Sequence, residues 1–251
     1  MQPFAFSADL YASGLVFMRV GAVVMLIPGI GEAYVPPRIR LSFALMLALC
    51  LGPIARSVMP AVPATLGDMG GQVLKELIIG LMLGGFLRLM LSALAVAGEV
   101  VSVQTTLAFA QTANPMQAQP GAALASFLSL LGVTLIFATN LDHLFIIAIA
   151  RSYSLFAPAR HVLVQDAAVV VIRAIGSSFA LGVQLAAPVI VFSLVFNIAS
   201  GLIGRVMPQF QIFFAAAPLT VLLGLSIFAL SLGSGMFVWL EHYKDFLRLF
   251  T

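Results

Sequence analysis

Charged residues are scarce in this 251-residue sequence, which holds 12 Lys and Arg and 9 Asp and Glu, or 8% of the chain. Hydrophobic residues make up 62% of it, and the mean hydropathy is +1.13. Soluble domains have about 25% charged and about 45–50% apolar residues. No soluble fold of this size hides so much apolar surface, so the composition excludes a soluble domain and indicates an integral membrane protein.

Cysteine, histidine and clustered charge are also in short supply. The single cysteine, Cys50, excludes an internal disulfide, and a net charge of +3 is too small and too scattered to favour nucleic acid. The three histidines and nine acidic residues form no metal-ligand or catalytic motif, and no phosphate-binding loop or nucleophile elbow occurs. We therefore expect no enzyme activity, no catalytic residue, no metal and no cofactor.

What the sequence has in abundance is long apolar stretches. Six run near 10–35, 41–60, 77–103, 122–150, 167–196 and 210–240. A membrane span needs about 20 apolar residues, and the longest stretches would form helices of about 40–46 Å against a hydrocarbon core of about 30 Å. We predict an all-α membrane protein of about six long, kinked apolar helices that either tilt or extend beyond the bilayer within an assembly.

Glycine and proline punctuate these stretches. The spacing of Gly80 and Gly84, and that of Gly201 and Gly204, is typical of close helix contacts. Kinks are expected at a further set of positions: Pro28, Gly29, Gly31, Gly84, Gly85, Pro188 and Pro218.

One segment, residues 104–121, is polar but uncharged. It holds four glutamines, three threonines and an asparagine, with Phe109 and Met116 among them. Exposed loops normally carry charge, so this composition indicates a segment inside protein beside a wet cavity. Phe109 and Met116 either act there by bulk or, as Met usually does, fill helix contacts. The segment is the first candidate for the working part of the molecule.

Six ionisable residues fall inside the apolar stretches or near their ends: Arg19, Arg88, Glu99, Asp142, His143 and Arg173. A charge at the centre of a lipid-facing helix costs about 2.5–3.5 kcal/mol, so we expect these buried groups to be paired, to face a wet cavity or to lie outside the hydrocarbon. Asp142 and His143 are adjacent and point about 100° apart on a helix, so we expect no shared face. Glu99, Asp142 and His143 form either a proton relay or ordinary structural contacts. The two arginines Arg19 and Arg173 either line a pore or are structurally paired.

A family resemblance comes from five parts of the sequence. They are residues 127–144, an apolar run that ends in Thr-Asn-Leu-Asp-His-Leu, and residues 152–158, 188–192, 197–209 and 213–224. Together they resemble the flagellar biosynthetic protein FliR family (FliR/MopE/SpaR), which are subunits of the type III secretion export gate. The match extends over essentially the whole chain.

This resemblance implies a non-enzymatic subunit whose helical hairpins belong to a hetero-oligomeric export gate. About 1–160 would be folded like the P component, including a plug loop at 104–121, and about 161–251 like the Q component. With FliP and FliQ it would form a channel for unfolded flagellar proteins. FlhB, FlhA and membrane lipid would be further partners, without nucleic acid. The gate would belong to the flagellar basal body in the bacterial inner membrane, raised toward the periplasmic side.

The resemblance also implies two sites. The plug would contain Phe109, Gln111, Asn114, Pro115, Met116 and Gln117. A loop at the cytoplasmic mouth, with expected contact to FlhB, would contain Arg205, Met207, Pro208, Gln209 and Gln211. Asp142 departs from the family's usual small residue before the histidine, so no role is carried over for it.

Two alternatives stay open at this point. One is the homologous gate subunit of a virulence injectisome, with the same fold and different substrates. The other is an ion or small-molecule transporter that uses Glu99, Asp142 and His143.

Overall fold

The computed structural model describes residues 3–108, 122–158, 164–207 and 212–248, and these are helical apart from their connections. The helices are α1 (Pro3–Val24), α2 (Pro37–Ala55), α3 (Leu66–Gln104), α4 (Ala122–Ala138), α5 (Asp142–Leu155), α6 (Val164–Val206) and α7 (Ile212–Arg248), with a single 3-10 turn at Arg56–Val58. The predicted all-α fold is confirmed.

Four of these helices are long and apolar enough to cross a membrane: Pro37–Ala55, Leu66–Gln104, Val169–Val206 within α6 and Ala216–Arg248 within α7. With 39 residues, α3 is about 58 Å long, and α6 with 43 residues is about 64 Å long. Both are far longer than a hydrocarbon core of about 30 Å. The predicted excess of helix length over bilayer thickness is confirmed, and α6 and α7 continue through Pro188 and Pro218.

The apolar stretch 122–150 is not one helix, so the prediction of one element there is wrong. It divides into α4 and α5, whose segments Ala123–Ala138 and Asp142–Leu155 are bent by 78°. The turn between them has Asn140 at φ 56°, a left-handed conformation that Asn tolerates better than most residues. The backbone N–H of Asn140 donates to the Phe137 carbonyl at 3.2 Å, and α5 begins two residues later.

The described helices form two compact units that interleave in sequence. Unit 1 contains residues 1–90, 137–175 and 244–251, and unit 2 contains residues 91–136 and 176–243. This division by contact differs from a division of the chain near residue 160. The P-like and Q-like parts implied by the resemblance therefore stay a prediction.

In unit 1, α1 packs closely along the first half of α3. A Cβ atom at Gly80 would lie 2.5 Å from the Arg19 carbonyl oxygen, and one at Gly84 would lie 2.8 Å from the Leu26 Cβ. The predicted close packing at Gly80 and Gly84 is confirmed, whereas a Cβ at Gly201 would meet no atom within 4 Å. Helix α5 lies against α1 in the opposite direction, with Tyr153 beside Val16 and Ser152 beside Arg19.

In unit 2, α3 and α6 run parallel. The hydroxyls of Ser92 and Ser178 lie 3.4 Å apart near one end of the contact, and the Gln104 and Ser193 side chains meet near the other. Helices α4 and α7 run antiparallel to them. The bulkiest buried side chain is Trp239 of α7, which packs beside Gly132 of α4 and against the Tyr243 ring.

A methyl group at Gly80 is expected to destabilise unit 1. Because the added Cβ would meet a backbone carbonyl that cannot rotate away, Gly80→Ala should lower the free energy of unfolding by about 1–3 kcal/mol. The control is Gly85→Ala on the same helix, where a Cβ meets nothing within 4 Å and should be neutral or stabilising. Thermal unfolding of the purified chain in mild detergent measures both, and equal melting temperatures for the two variants would contradict the packing.

Candidate functional site

The uncharged segment begins where α3 ends, at Gln104. Its first residues, through Ala108, are described, whereas 109–121 lie outside the described residues. The candidate residues Phe109, Gln111, Asn114, Pro115, Met116 and Gln117 are therefore outside them as well. We call residues 102–106 the root of the segment, because this is the described part from which the segment continues.

One side chain of the root, Thr105, packs tightly against α7. Thr105 is fully buried, and its hydroxyl donates to the Val101 carbonyl at 2.9 Å. Opposite it stands Gly224, where a Cβ would lie 2.5 Å from the Thr105 Cγ2. No larger residue fits at position 224 unless Thr105 moves, so the glycine creates the space that Thr105 fills.

A chain of uncharged hydrogen bonds joins the root to α6. The buried Ser193 hydroxyl donates to Oε1 of Gln104 at 2.9 Å, and the Asn197 amide donates to the Ser193 hydroxyl at 3.3 Å. Buried polar groups are costly unless they are hydrogen-bonded, so these contacts compensate the polarity of Gln104 in an apolar helix pair. Sequence reasoning missed Ser193 because a serine in an apolar helix is common; its spacing of four residues from Asn197 was the available signal.

Two local features mark the root as conformationally unusual. Thr106 has φ 59°, in the left-handed region that a β-branched residue rarely adopts. Among the described residues, the buried Ser102 hydroxyl has no hydrogen-bond partner. Strained backbone and unsatisfied polar groups persist only where the surrounding structure holds them in place.

The predicted mouth loop is described at one end only. Arg205, in the last turn of α6, and Met207 are exposed, and the Met207 N–H donates to the Ile203 carbonyl at 2.9 Å. Pro208, Gln209 and Gln211 lie outside the described residues. The end of α6 is strongly apolar as well as exposed, with Leu202, Ile203 and Val206 facing outward.

Of the six ionisable residues expected to be buried, only Arg19 is buried within this chain. Arg88, Glu99, His143 and Arg173 are exposed in the single chain and Asp142 is half-buried, so their burial within an assembly stays a prediction. The physical reason is that much of the surface of these helices is not covered by the chain itself. Arg88 forms a loose ion pair with Glu32, at 3.7 Å.

Asp142 and His143 were expected not to share a helix face, and their side chains nevertheless approach each other. Nδ1 of His143 lies 3.5 Å from Oδ1 of Asp142. Because α5 begins at Asp142, its carboxylate has no preceding helical turn that would fix its direction. Glu99 belongs to unit 2 and this pair to unit 1. Within the described parts of the chain, no three His, Cys, Asp or Glu residues are grouped as a metal ion requires.

A buried polar site forms around the guanidinium of Arg19, whose side chain is fully buried. It forms a bidentate ion pair with Glu76, with Nε to Oε2 at 2.6 Å and Nη2 to Oε1 at 3.0 Å. Nη1 donates to the carbonyl and the hydroxyl of Ser152, and Nη2 donates to the Phe156 carbonyl at 2.8 Å. All five N–H groups of the guanidinium therefore have acceptors.

This arginine also fixes the end of α5. Ser152 lies in the last turn, where its carbonyl also accepts from the Phe156 N–H at 2.8 Å. Phe156 lies just beyond the helix, where carbonyls lack intrahelical donors. The Tyr153 ring lies 4.2 Å below the guanidinium, and Lys75 donates to the Pro158 carbonyl at 2.6 Å. The sequence pointed to Arg19 but not to Glu76, whose position at the start of an apolar stretch, 57 residues away, was the only signal.

Removing one partner of the pair is expected to destabilise the chain strongly. Arg19→Met leaves Glu76 buried and unpaired and should lower the free energy of unfolding by about 3–5 kcal/mol. Arg19→Met with Glu76→Met should recover part of this loss, but not all, because the Phe156 carbonyl and the Ser152 hydroxyl still lose the donor that Arg19 supplies. Unfolding in detergent measures the series.

The control for this series is Arg56→Met. The Arg56 side chain is 60% exposed in its ion pair with Asp9, so its loss should cost under about 1 kcal/mol. A single Arg19→Met variant as stable as Arg56→Met would contradict a structural role for the buried pair.

Comparison with known proteins identifies relatives along the whole chain. The family model described as "Bacterial export proteins, family 1" matches residues 10–246. The chain is 54% identical over 251 residues to the flagellar biosynthetic protein FliR of Caulobacter vibrioides, covering 100% of both chains. It is 28% identical over 236 residues to that of Aquifex aeolicus, covering 94% of this chain and 91% of the relative. It is 29% identical over 215 residues to the flagellar biosynthetic protein FliR of Escherichia coli K12, covering 84% of this chain and 80% of the relative. The chain therefore belongs to the FliR family of bacterial export proteins.

Proposed function

We propose that this chain is a non-enzymatic subunit of the flagellar type III protein export gate. Membership of an export family, whose matched relatives are named flagellar biosynthetic proteins, supports a role in flagellar export. That naming also favours the flagellar system over the injectisome alternative. FliP and FliQ are the proposed gate partners, in the bacterial inner membrane at the flagellar basal body.

The observation that carries the assembly part of the proposal is the exposed apolar length of α6. Exposed apolar side chains extend from Val169 to Val206, a distance of about 56 Å. A hydrocarbon core of about 30 Å cannot cover that length, so protein must cover the rest. Within the most apolar parts of α6 and α7, only 28% and 17% of residues are buried by the chain itself. This supports long lateral contacts with other helical subunits and a gate that extends beyond the bilayer.

We also propose that the segment 104–121 is the plug of the channel. A seal must exclude ions yet open for an unfolded chain, which favours bulky apolar residues on an uncharged backbone. The composition of the segment fits this requirement, and the described root is held only by uncharged contacts. Phe109 and Met116 are the proposed sources of bulk.

The exposed end of α6 supports a second contact, at the proposed cytoplasmic mouth. Arg205 and Met207 combine a cation with a flexible apolar side chain on an exposed turn. We assign this loop, with Pro208, Gln209 and Gln211, to contact with FlhB. FlhA is proposed as a more distant member of the same apparatus.

The transporter alternative rests on the contact between Asp142 and His143. It requires that neutralising the acidic groups abolish function, whereas a gate subunit tolerates their loss. Glu99→Gln with Asp142→Asn should therefore leave export of flagellar proteins within about twofold of wild type, measured by motility and by secreted flagellin. Loss of export in an assembled complex would favour the transporter.

The assembly is expected to be discrete and to contain this chain. Co-expression with FliP and FliQ, purification in mild detergent and native mass measurement should give a single hetero-oligomer. A stable monomer or homo-oligomer with no affinity for either partner would contradict the gate.

The plug is expected to limit ion flow. Deleting residues 109–121 should make membranes that contain the assembled gate leak small ions, and Phe109→Ala should leak more than Gln111→Ala because it removes more bulk. Conductance in planar bilayers measures both. If Phe109→Ala leaves conductance unchanged, Met116 becomes the candidate for the bulky side chain of the plug. If the deletion of 109–121 leaves conductance unchanged, the plug assignment is wrong.

A further inference from the structure

The root of the segment is held by two contacts with other helices and ends in a residue of unusual backbone conformation, and none of these features belongs to the segment beyond the root. Ser193 of α6 donates to Gln104, Gly224 of α7 provides the space for Thr105, and Thr106 stays in a left-handed conformation. A β-branched residue adopts that conformation only where surrounding contacts overcome its intrinsic cost. The contacts at Gln104 and Thr105 immediately precede it in the chain.

We propose that Ser193 and Gly224 are positioning residues, which fix the direction in which the chain leaves α3. Ser193 sets the position of the last helical residue through the Gln104 amide. Gly224 seats Thr105 against α7, and Thr106 then turns the backbone out of the helix axis. This inference deepens the proposed plug function and rests on it for its consequence in sealing.

The chemistry of the contacts suits this role. A hydroxyl-to-amide hydrogen bond is directional, with preferred angles above 150°, so it fixes orientation as well as distance. It involves no charge, so it adds no ion-binding group beside a channel. Asn197 donates to the Ser193 hydroxyl, which leaves the serine proton directed at Gln104.

The test reads the position of Thr105 directly, without reference to sealing. Thr105 is fully buried, so a cysteine there should react slowly with a maleimide in membranes that contain the co-expressed gate. The exposed native Cys50 is first replaced by Ala. In this background Ser193→Ala should speed labelling of Thr105→Cys about fivefold, the factor for one neutral hydrogen bond. Gly224→Ala should speed it about fivefold, because the new Cβ would lie 3.3 Å from the Cβ at position 105, which the cysteine keeps, and would narrow the space for its side chain.

Two matched variants separate positioning from general destabilisation. Ser178→Ala removes another buried hydroxyl between the same two helices, where it lies 3.4 Å from Ser92 and far from the root. Its labelling should equal that of the unaltered background. Ser193→Thr keeps the donor and should restore slow labelling. Native mass of the gate should be unchanged in all variants.

The labelling outcomes are decisive in either direction. Faster labelling in Ser193→Ala and Gly224→Ala, with Ser178→Ala and Ser193→Thr slow, supports the proposal. Equal labelling in all variants, or equal acceleration by Ser178→Ala, overturns it.

Bilayer conductance then separates the inference from the proposed function. If deletion of 109–121 leaks while Ser193→Ala and Gly224→Ala do not, the plug stands and the positioning role in sealing is wrong. If labelling responds as expected but the deletion does not leak, the root is positioned as proposed and the plug function fails.

Discussion

The buried ion pair between Arg19 and Glu76 is the interaction on which unit 1 depends. An isolated charge in such an apolar interior would cost many kilocalories per mole, so each partner is tolerable only because the other is present. The pair also sets geometry, because the planar guanidinium uses its remaining donors on carbonyls at the end of α5. One side chain thereby holds α1, α3 and α5 in a defined register. In helices that are apolar on every side, hydrophobic burial alone is non-directional and would not choose between registers.

Helix length is the second constraint, and it leaves apolar surface that the chain does not bury itself. The chain buries its own apolar surface well where α3 packs among neighbours and poorly along α6 and α7. A membrane explains exposed apolar side chains only over its own thickness, which is about half of α6. Most of the ionisable residues in the apolar stretches are exposed for the same reason, since their surroundings are not supplied by this chain. Arg19 is buried and joins the helices of unit 1, whereas Arg173 and Glu99 lie on exposed helix faces.

The sequence predicted what depends on composition and local spacing, and it did not predict what depends on register. Long helices follow from the apolar runs, and the contact at Gly80 and Gly84 follows from their spacing of four residues. The bend at Asn140 was missed because no proline or glycine lies at the bend itself, and Gly132, the glycine of that run, lies within α4. Glu76 was missed because its pairing with Arg19, 57 residues away, depends on how α1 is aligned along α3. Helices that are apolar on every side have no periodic pattern from which this alignment could be predicted. Ser193 was missed for the same reason, and the residues 109–121 of the predicted plug stand outside the described structure.

The polar site around Arg19 is charged, whereas the one around Gln104 is not, and their surroundings account for the difference. The Arg19 site belongs to the packing of a unit, where a bidentate ion pair with every donor satisfied rigidifies its surroundings. A contact beside the proposed channel would have a different requirement, because a charge there would attract counter-ions and water. Neutral hydrogen bonds of about 0.5–1.5 kcal/mol each are also weak enough to break and reform. Gln104, Ser193 and Asn197 therefore have the chemistry expected of a joint that must orient a segment without fixing it irreversibly.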